Sequence, residues 1–239
     1  MAKVEPEGSG EADAYRLQAV SPRLARRDLL VLGGLVGAGA MTSVWLQATA
    51  PLARDVSTNS AVQHALAATT ARSDGNPAGD VRVIAFNDFL CPVCKITAPE
   101  LSNASRADGG VRIEYIDLTL FGPVAEDAAR LGLAMALQGR YSQFHHAIMA
   151  ARRRLDRAVM RDVVHMIGGE WQRAVSDAEA HESEFTATLN KNALLAFMLG
   201  ISGTPAFLIE GLLSIGRLNA TQFGDLFEQA RDSTAATRI

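Results

Sequence analysis

Two cysteines are the residues of this sequence whose spacing points most directly to chemistry. Cys91 and Cys94 enclose a spacer of Pro92 and Val93, and the 239-residue chain contains only these two cysteines. Two thiols at this spacing can open and close a disulfide, because one thiolate attacks a partner and the second thiol then displaces that partner. The pair therefore predicts a catalytic dithiol, with Cys91 as the attacking thiol and Cys94 as the resolving thiol.

The segments around the pair predict that Cys91 lies at the start of a helix. Residues 81–86 (VRVIAF) form an apolar, β-branched run that is typical of a buried strand. A short turn follows, and Pro92 suits a first helical turn because its missing N–H would have no partner there. Free N–H groups and the helix dipole would stabilise a thiolate at Cys91, with a weak contribution from Lys95.

Two other interpretations of the cysteine pair stay open at this point. Half of a zinc site is one, but zinc takes four ligands and the chain has no second cysteine pair. His145 and His146 are adjacent on a predicted helix and diverge by about 100°, so we expect one to be packed and the other solvated. Two inert core cysteines are the other alternative, which the proline in the spacer disfavours. We expect no metal and no cofactor beyond the disulfide itself.

The rest of the sequence predicts a mixed α/β domain with helices in its middle. Residues 111–118 alternate as a second strand. Two further short β runs, at 206–209 and 212–215, follow Gly203-Thr204-Pro205, and a last amphipathic helix covers 221–230. Between them the pattern predicts five helices, at residues 123–138, 141–152, 156–167, 170–178 and 182–199.

The amino-terminal residues resemble an export signal. Residues 1–28 are polar and carry three arginines near their end, which predicts a cytoplasmic n-region. Residues 29–46 are uncharged and, as a helix, would extend roughly 27 Å, enough to cross a bilayer. We expect a signal peptide or membrane anchor within 29–50, a linker over 51–80, and delivery of the remainder to the periplasm or another extracytoplasmic space, tethered if the anchor is retained.

The charge and composition of the sequence limit the classes of molecule that it is expected to bind. The formal net charge is −3, with 48% hydrophobic and 21% charged residues. No basic stripe interleaved with aromatic residues is present, so the sequence gives no reason to expect nucleic acid as a partner.

Two separated motifs resemble the DsbA-like branch of the thioredoxin superfamily. They are residues 87–94 (NDFLCPVC) and 203–207 (GTPAF), supported by 120–123 (LFGP) and 139–145 (GRYSQFH). The resemblance spans about residues 76–230. It implies an α/β, thioredoxin-like fold over residues 81–235 with an all-helical subdomain inserted at about 123–200. It also implies a cis peptide bond at Pro205 and a substrate segment bound beside Thr204 and Pro205.

The resemblance further implies a thiol-disulfide oxidoreductase that forms disulfides in unfolded or thiol-bearing exported proteins. A membrane or thiol redox partner would reset the cysteines. A reductase or isomerase of the same fold is one alternative, and a non-catalytic thioredoxin-like metal-binding module is another. The sequence departs from related proteins at one position, because Ala85 stands where many carry a buried acid six residues before the first cysteine.

Overall fold

The computed structural model describes residues 51–60, 62–63 and 72–237. The predicted n-region and apolar segment, residues 1–50, lie outside this range, so the expected anchor at 29–46 is a prediction only. Within the described ranges, none of the helices is both long enough and apolar enough to span a bilayer.

The described residues form one mixed sheet of six strands in the order β1-β6-β5-β3-β4-β2. β3 and β4 are parallel, and every other neighbouring pair is antiparallel. The strands are β1 (Arg54–Asp55), β2 (Ser73–Gly75), β3 (Val81–Asn87), β4 (Val111–Asp117), β5 (Ala206–Ile209) and β6 (Leu212–Ile215). All seven residues of β3 are buried, which agrees with its prediction as a central strand.

Seven helices are present in the described part of the chain. They are α1 (Pro92–Asp108), α2 (Pro123–Leu137), α3 (Tyr141–Ala150), α4 (Arg157–Met166), α5 (Trp171–Ala180), α6 (Glu182–Met198) and α7 (Ala220–Thr237). The inserted block α2–α6 matches the five predicted helices to within two residues at each end. This arrangement confirms the predicted thioredoxin-like fold with a helical insertion.

The prediction that residues 51–80 form only a linker is wrong for their described parts. Arg54–Asp55 pairs with β6 and Ser73–Gly75 pairs with β4, so this segment supplies both edges of the sheet. These strands are two and three residues long and carry no apolar alternation, so no periodic pattern marks them. Most of residues 60–71 lies outside the described residues.

Successive side chains of β3 enter two different apolar cores because strand side chains alternate between faces. Val81, Val83 and Ala85 join the larger core, which also contains both cysteines. Ile84 and Phe86 join a smaller core on the opposite face. Burial on both faces fixes β3, and the turn to the cysteine pair starts where this strand ends.

Candidate functional site

Cys91 is the N-cap residue of α1, as the sequence predicted. Its Sγ accepts a hydrogen bond of 3.3 Å from the backbone N–H of Cys94, and the helix itself begins at Pro92. An N–H donor and the positive end of the helix dipole both favour negative charge on this sulfur. The local sequence therefore places one thiol where a thiolate is stabilised.

Cys94 lies one turn into the helix and is 1% exposed. Burial raises the pKa of Cys94 far above that of an ordinary thiol, an effect that the nearby Asp88 backbone N–H only partly offsets. The two cysteines are reduced in this structure. Their environments differ in the sense that suits an attacking thiol at Cys91 and a resolving thiol at Cys94.

The turn before β5 borders the cysteine pair. The Thr204–Pro205 peptide bond is cis, as the resemblance implied. The Cys91 thiol donates a hydrogen bond of 3.3 Å to the carbonyl oxygen of Thr204. The structure thus brings together the four residues of the CPVC motif and the two residues that were predicted to border a substrate.

Access to Cys91 is narrow, since the residue as a whole is only 2% exposed. Val93, two positions on, is more than one-third exposed, and Pro92 is exposed as well. A partner can therefore approach Cys91 across the spacer and the Thr204 carbonyl.

Asp88 connects the active-site turn to a second loop, a role that the sequence did not reveal. Its Oδ1 accepts from the N–H of Leu90 at 2.8 Å, and its Oδ2 accepts from Leu120 at 2.7 Å and Phe121 at 3.1 Å. Burial raises the pKa of Asp88, although all three hydrogen bonds oppose that shift. An Asp two residues before a turn N–H is a common local signal, but its long-range partners follow only from the fold.

Lys95 contacts the loop after α3, and its predicted weak contribution to the Cys91 thiolate stays a prediction. Its Nζ donates a hydrogen bond of 3.1 Å to the carbonyl oxygen of Ala151, and burial lowers the pKa of this lysine. The side chain therefore ends at the loop after α3.

The two histidines on α3 have the different environments that were predicted. His145 is 2% exposed, whereas the side chain of His146 is 40% exposed and pairs with Asp74. Among the described residues, no three or more histidine, cysteine or acidic side chains form a group that could hold a metal.

A sequence model described as the DSBA-like thioredoxin domain matches residues 82–228, which is more than half of the chain. The chain belongs to this family. Enzymes of this family are thiol-disulfide oxidoreductases.

Solved structures give the same assignment for the DSBA-like domain. A thioredoxin-like oxidoreductase from Silicibacter pomeroyi DSS-3 is 33% identical, with a TM-score of 0.64, and the match covers 67% of this chain and 91% of that one. The thiol-disulfide exchange protein alpha-DsbA2 from Wolbachia pipientis is 22% identical, with a TM-score of 0.67 over 72% and 95%. A periplasmic thioredoxin-like protein from Salmonella enterica serovar Typhimurium is 20% identical, with a TM-score of 0.62 over 71% and 95%. The last two show the fold alone.

Curated relatives match over only part of their length. A protein named Na(+)/H(+) antiporter NhaA 1 from Mycolicibacterium gilvum is 25% identical over 161 residues, which are 66% of this chain and 26% of that protein. Its namesake from Mycolicibacterium vanbaalenii is 24% identical over 153 residues, or 62% and 25%. The DSBA-like chain thus spans about a quarter of the curated relatives it matches.

Proposed function

We propose that this DSBA-like protein forms disulfides in unfolded or thiol-bearing exported proteins by dithiol exchange through Cys91 and Cys94. The observation that carries the proposal is the position of Cys91 Sγ, 3.3 Å from both the Cys94 N–H and the Thr204 carbonyl. One contact stabilises a thiolate, and the other places the sulfur beside backbone that an extended substrate can join.

The exchange proceeds in two balanced steps. A substrate thiolate attacks Cys91 Sγ of the oxidised pair, the Cys91–Cys94 bond breaks, and Cys94 leaves with the electron pair and takes up a proton. A second substrate thiolate then attacks the substrate sulfur of the mixed disulfide, and Cys91 leaves as the thiolate. The substrate has lost two electrons to the cysteine pair, which a membrane or thiol redox partner must reoxidise.

Thr204 and Pro205 are proposed to align the substrate. The Thr204 carbonyl accepts from the Cys91 thiol when that thiol carries its proton. In a mixed disulfide Cys91 has no proton to donate, so the carbonyl becomes available to a substrate N–H. Addition of an extended segment at this point is a recurring mode of peptide recognition.

We also propose that the domain works in the periplasm or an equivalent extracytoplasmic space. The support is the arginine-then-apolar pattern before residue 50 and the periplasmic location in the name of the structurally similar Salmonella protein. Tethering through residues 29–46 is part of this proposal. Fractionation of cells that produce the chain, with carbonate extraction of membranes, would separate a released domain from an anchored one.

Oxidation of a reduced two-cysteine peptide tests the exchange. The oxidised chain should convert the peptide to its disulfide stoichiometrically, and Cys91→Ser should be inactive. Cys94→Ser, which cannot form the internal disulfide, should instead form a mixed disulfide at Cys91 when it is mixed with the disulfide form of the peptide, as the Cys91 thiolate attacks one peptide sulfur and the other leaves as a thiolate. Equilibration with glutathione buffers would then give the direction of exchange. A chain that leaves the peptide reduced and instead reduces insulin would be a reductase.

A further inference from the structure

A small cavity lies behind the resolving cysteine. Its volume is about 20 Å³, and its walls come from β3, β4, α1, α3 and the Pro205 turn. The polar or ionisable side chains that line it are those of Cys94, Asn87, Tyr115 and His145. None of the described residues lining it carries a carboxylate, and Ala85 occupies the position where related proteins were expected to place one.

His145 is an unusual residue to find in this wall. It is 2% exposed, and neither of its ring nitrogens has a hydrogen-bond partner among the described residues. Its ring lies edge-on to Tyr115, with 3.9 Å between the ring centroids. Buried polar groups without partners are rare in proteins, so each one calls for a physical explanation.

The charge state of His145 limits what it can do. Burial, with a smaller effect from neighbouring His146, lowers the pKa of His145 to about 3. The ring is therefore neutral at working pH and carries one N–H donor and one nitrogen acceptor. It can stabilise a nearby anion as a dipole and hydrogen-bond donor, whereas it is a poor base.

The cavity has room for one water molecule, which requires at least roughly 10–15 Å³ and two to four polar partners. His145 and Asn87 supply polar groups to its lining, and Cys94 supplies the sulfur. Such a water can receive the His145 N–H and donate to a thiolate. The geometry therefore connects an unpartnered imidazole with a thiol whose deprotonation burial opposes.

We propose that His145 stabilises the Cys94 thiolate by a hydrogen bond relayed through one water molecule in this cavity. This inference rests on the proposed function, because the thiolate forms both when a substrate thiol opens the disulfide and when Cys94 closes it again. In closure, Cys94 Sγ attacks Cys91 Sγ, the bond from Cys91 to the partner sulfur breaks, and the partner leaves with the electron pair. The proton that Cys94 gives up to solvent balances the one that the leaving thiolate takes up.

The pH dependence separates this role from that of a titrating base. The titratable groups around His145 are Cys94 from α1, Tyr115 from β4, Tyr141 and His146 from α3, and Asp74 from β2. A neutral His145 donates equally at every pH from 5 to 8. The rate of closure should then rise with pH only through ionisation of Cys94, without an inflection from this histidine.

Rapid mixing of the reduced chain with oxidised glutathione tests the inference. Acid quenching and mass analysis follow the mixed disulfide at Cys91 and its decay as Cys94 closes. His145→Phe should slow closure at least tenfold at every pH from 5 to 8. A plot of the logarithm of its closure rate against pH should run parallel to that of the unchanged chain. The tenfold loss is expected because a hydrogen bond to a charged group commonly contributes more than a factor of ten. His145→Gln keeps a donor and an acceptor, so closure should recover to within about threefold of the unchanged chain.

Three results would overturn the role of His145: closure by H145F as fast as that of the unchanged chain, closure by H145Q as slow as that of H145F, or a histidine inflection in the unchanged chain. His146→Gln, at the half-buried neighbouring position outside the cavity lining, is the matched control and should close within twofold of the unchanged chain. Urea unfolding checks that each variant is folded, and His145→Leu replaces H145F if phenylalanine prevents folding. Failure of the unchanged chain to form any mixed disulfide at Cys91 would instead refute the proposed function.

Discussion

Cys91 and Cys94 differ in what surrounds their sulfur atoms. Cys91 Sγ caps a helix and receives the Cys94 N–H at 3.3 Å. Both cysteines belong to the larger apolar core, and burial there raises the pKa of Cys94. One helical turn therefore separates a sulfur that accepts a backbone N–H from a sulfur whose ionisation burial opposes, and this difference is the basis of the proposed order of reaction.

Alkylation of single-cysteine variants should reveal this order. We expect Cys91 in Cys94→Ser to react with iodoacetamide at pH 7 at least about ten times faster than Cys94 in Cys91→Ser, because each unit of raised pKa reduces the thiolate fraction tenfold. Mass spectrometry of timed samples gives both rates. Equal rates, or a faster Cys94, would contradict the assignment of Cys91 as the attacking thiol.

Asp88 offers a second test at the level of one residue. Its carboxylate accepts three backbone N–H groups from the active-site turn and from the loop before α2. Asp88→Asn loses one acceptor and turns an NH2 group toward these donors, so the free energy of unfolding should fall by about 2 kcal/mol, the usual scale for hydrogen bonds to a buried charged group. Urea unfolding measures the loss. Asp127→Asn on the exposed face of α2 removes the same charge and should change stability little.

The elements that position the site were predictable because each one carries a strong local pattern. The β-branched run before the cysteines, the proline after Cys91, and the Thr204-Pro205 turn before a short apolar run all agree with the structure. The helices of the insertion were predictable from their apolar periodicity. The helical insertion and the strand-turn-helix unit were therefore available from the sequence.

Other features depend on contacts between distant segments and left no local signal. The edge strands β1 and β2 are short and polar. They are strands only because β1 pairs with β6 and β2 pairs with β4. The loop contacts of Asp88 span more than thirty positions of sequence. The cavity beside His145 likewise draws its walls from strands, helices and a turn that only the complete fold brings together.

The edge strand β2 is linked to α3 by a hydrogen bond between Asp74 and His146 whose contribution to stability should depend on pH. The hydrogen bond from His146, ahead of the opposing effect of burial, lowers the pKa of Asp74 to about 2 from its ordinary value of 3.8. Because the pKa is lower in the folded state, the stabilisation is complete above about pH 4 and is lost as pH falls toward 2.

Asp74→Asn should therefore make stability less sensitive to acid. Between pH 4 and pH 2 the free energy of unfolding of this variant should fall less steeply than that of the unchanged chain. The two slopes should differ by no more than about 1.4 kcal/mol per pH unit, which is the limit for one proton. Urea titrations at a series of pH values measure the slope, with exposed Asp225→Asn as the control. A slope in Asp74→Asn equal to that of the unchanged chain would show that the pair contributes nothing.

At the scale of the whole molecule, α7 closes the fold against α1 and the start of β3. Arg231 on α7 donates to Asp80 at 2.8 Å and to Asp108 at 2.7 Å, so one guanidinium joins three segments. Arg231→Ala should reduce the free energy of unfolding by about 1 kcal/mol, because the pairs are largely exposed to solvent. The loss should shrink at 1 M salt, which screens such pairs. A loss that is independent of salt would assign the effect to packing of the side chain.

The redox state of one bond should alter the stability of the entire fold. Folding and disulfide formation are linked in one thermodynamic cycle. If the folded state stabilises the Cys91 thiolate more than the unfolded state does, the disulfide of the folded chain must be more oxidising by the same free energy. If the protein is a disulfide donor, the reduced chain will unfold at a higher urea concentration than the oxidised chain. The free energies of unfolding of the two forms should differ by about 1.4 kcal/mol for each 30 mV by which the reduction potential of the folded chain exceeds that of the unfolded chain. Parallel urea titrations with and without dithiothreitol measure this directly, and Cys91→Ser, which cannot form the bond, should show no difference. A more stable oxidised chain would instead favour a reductase, because the fold would then be protecting its disulfide.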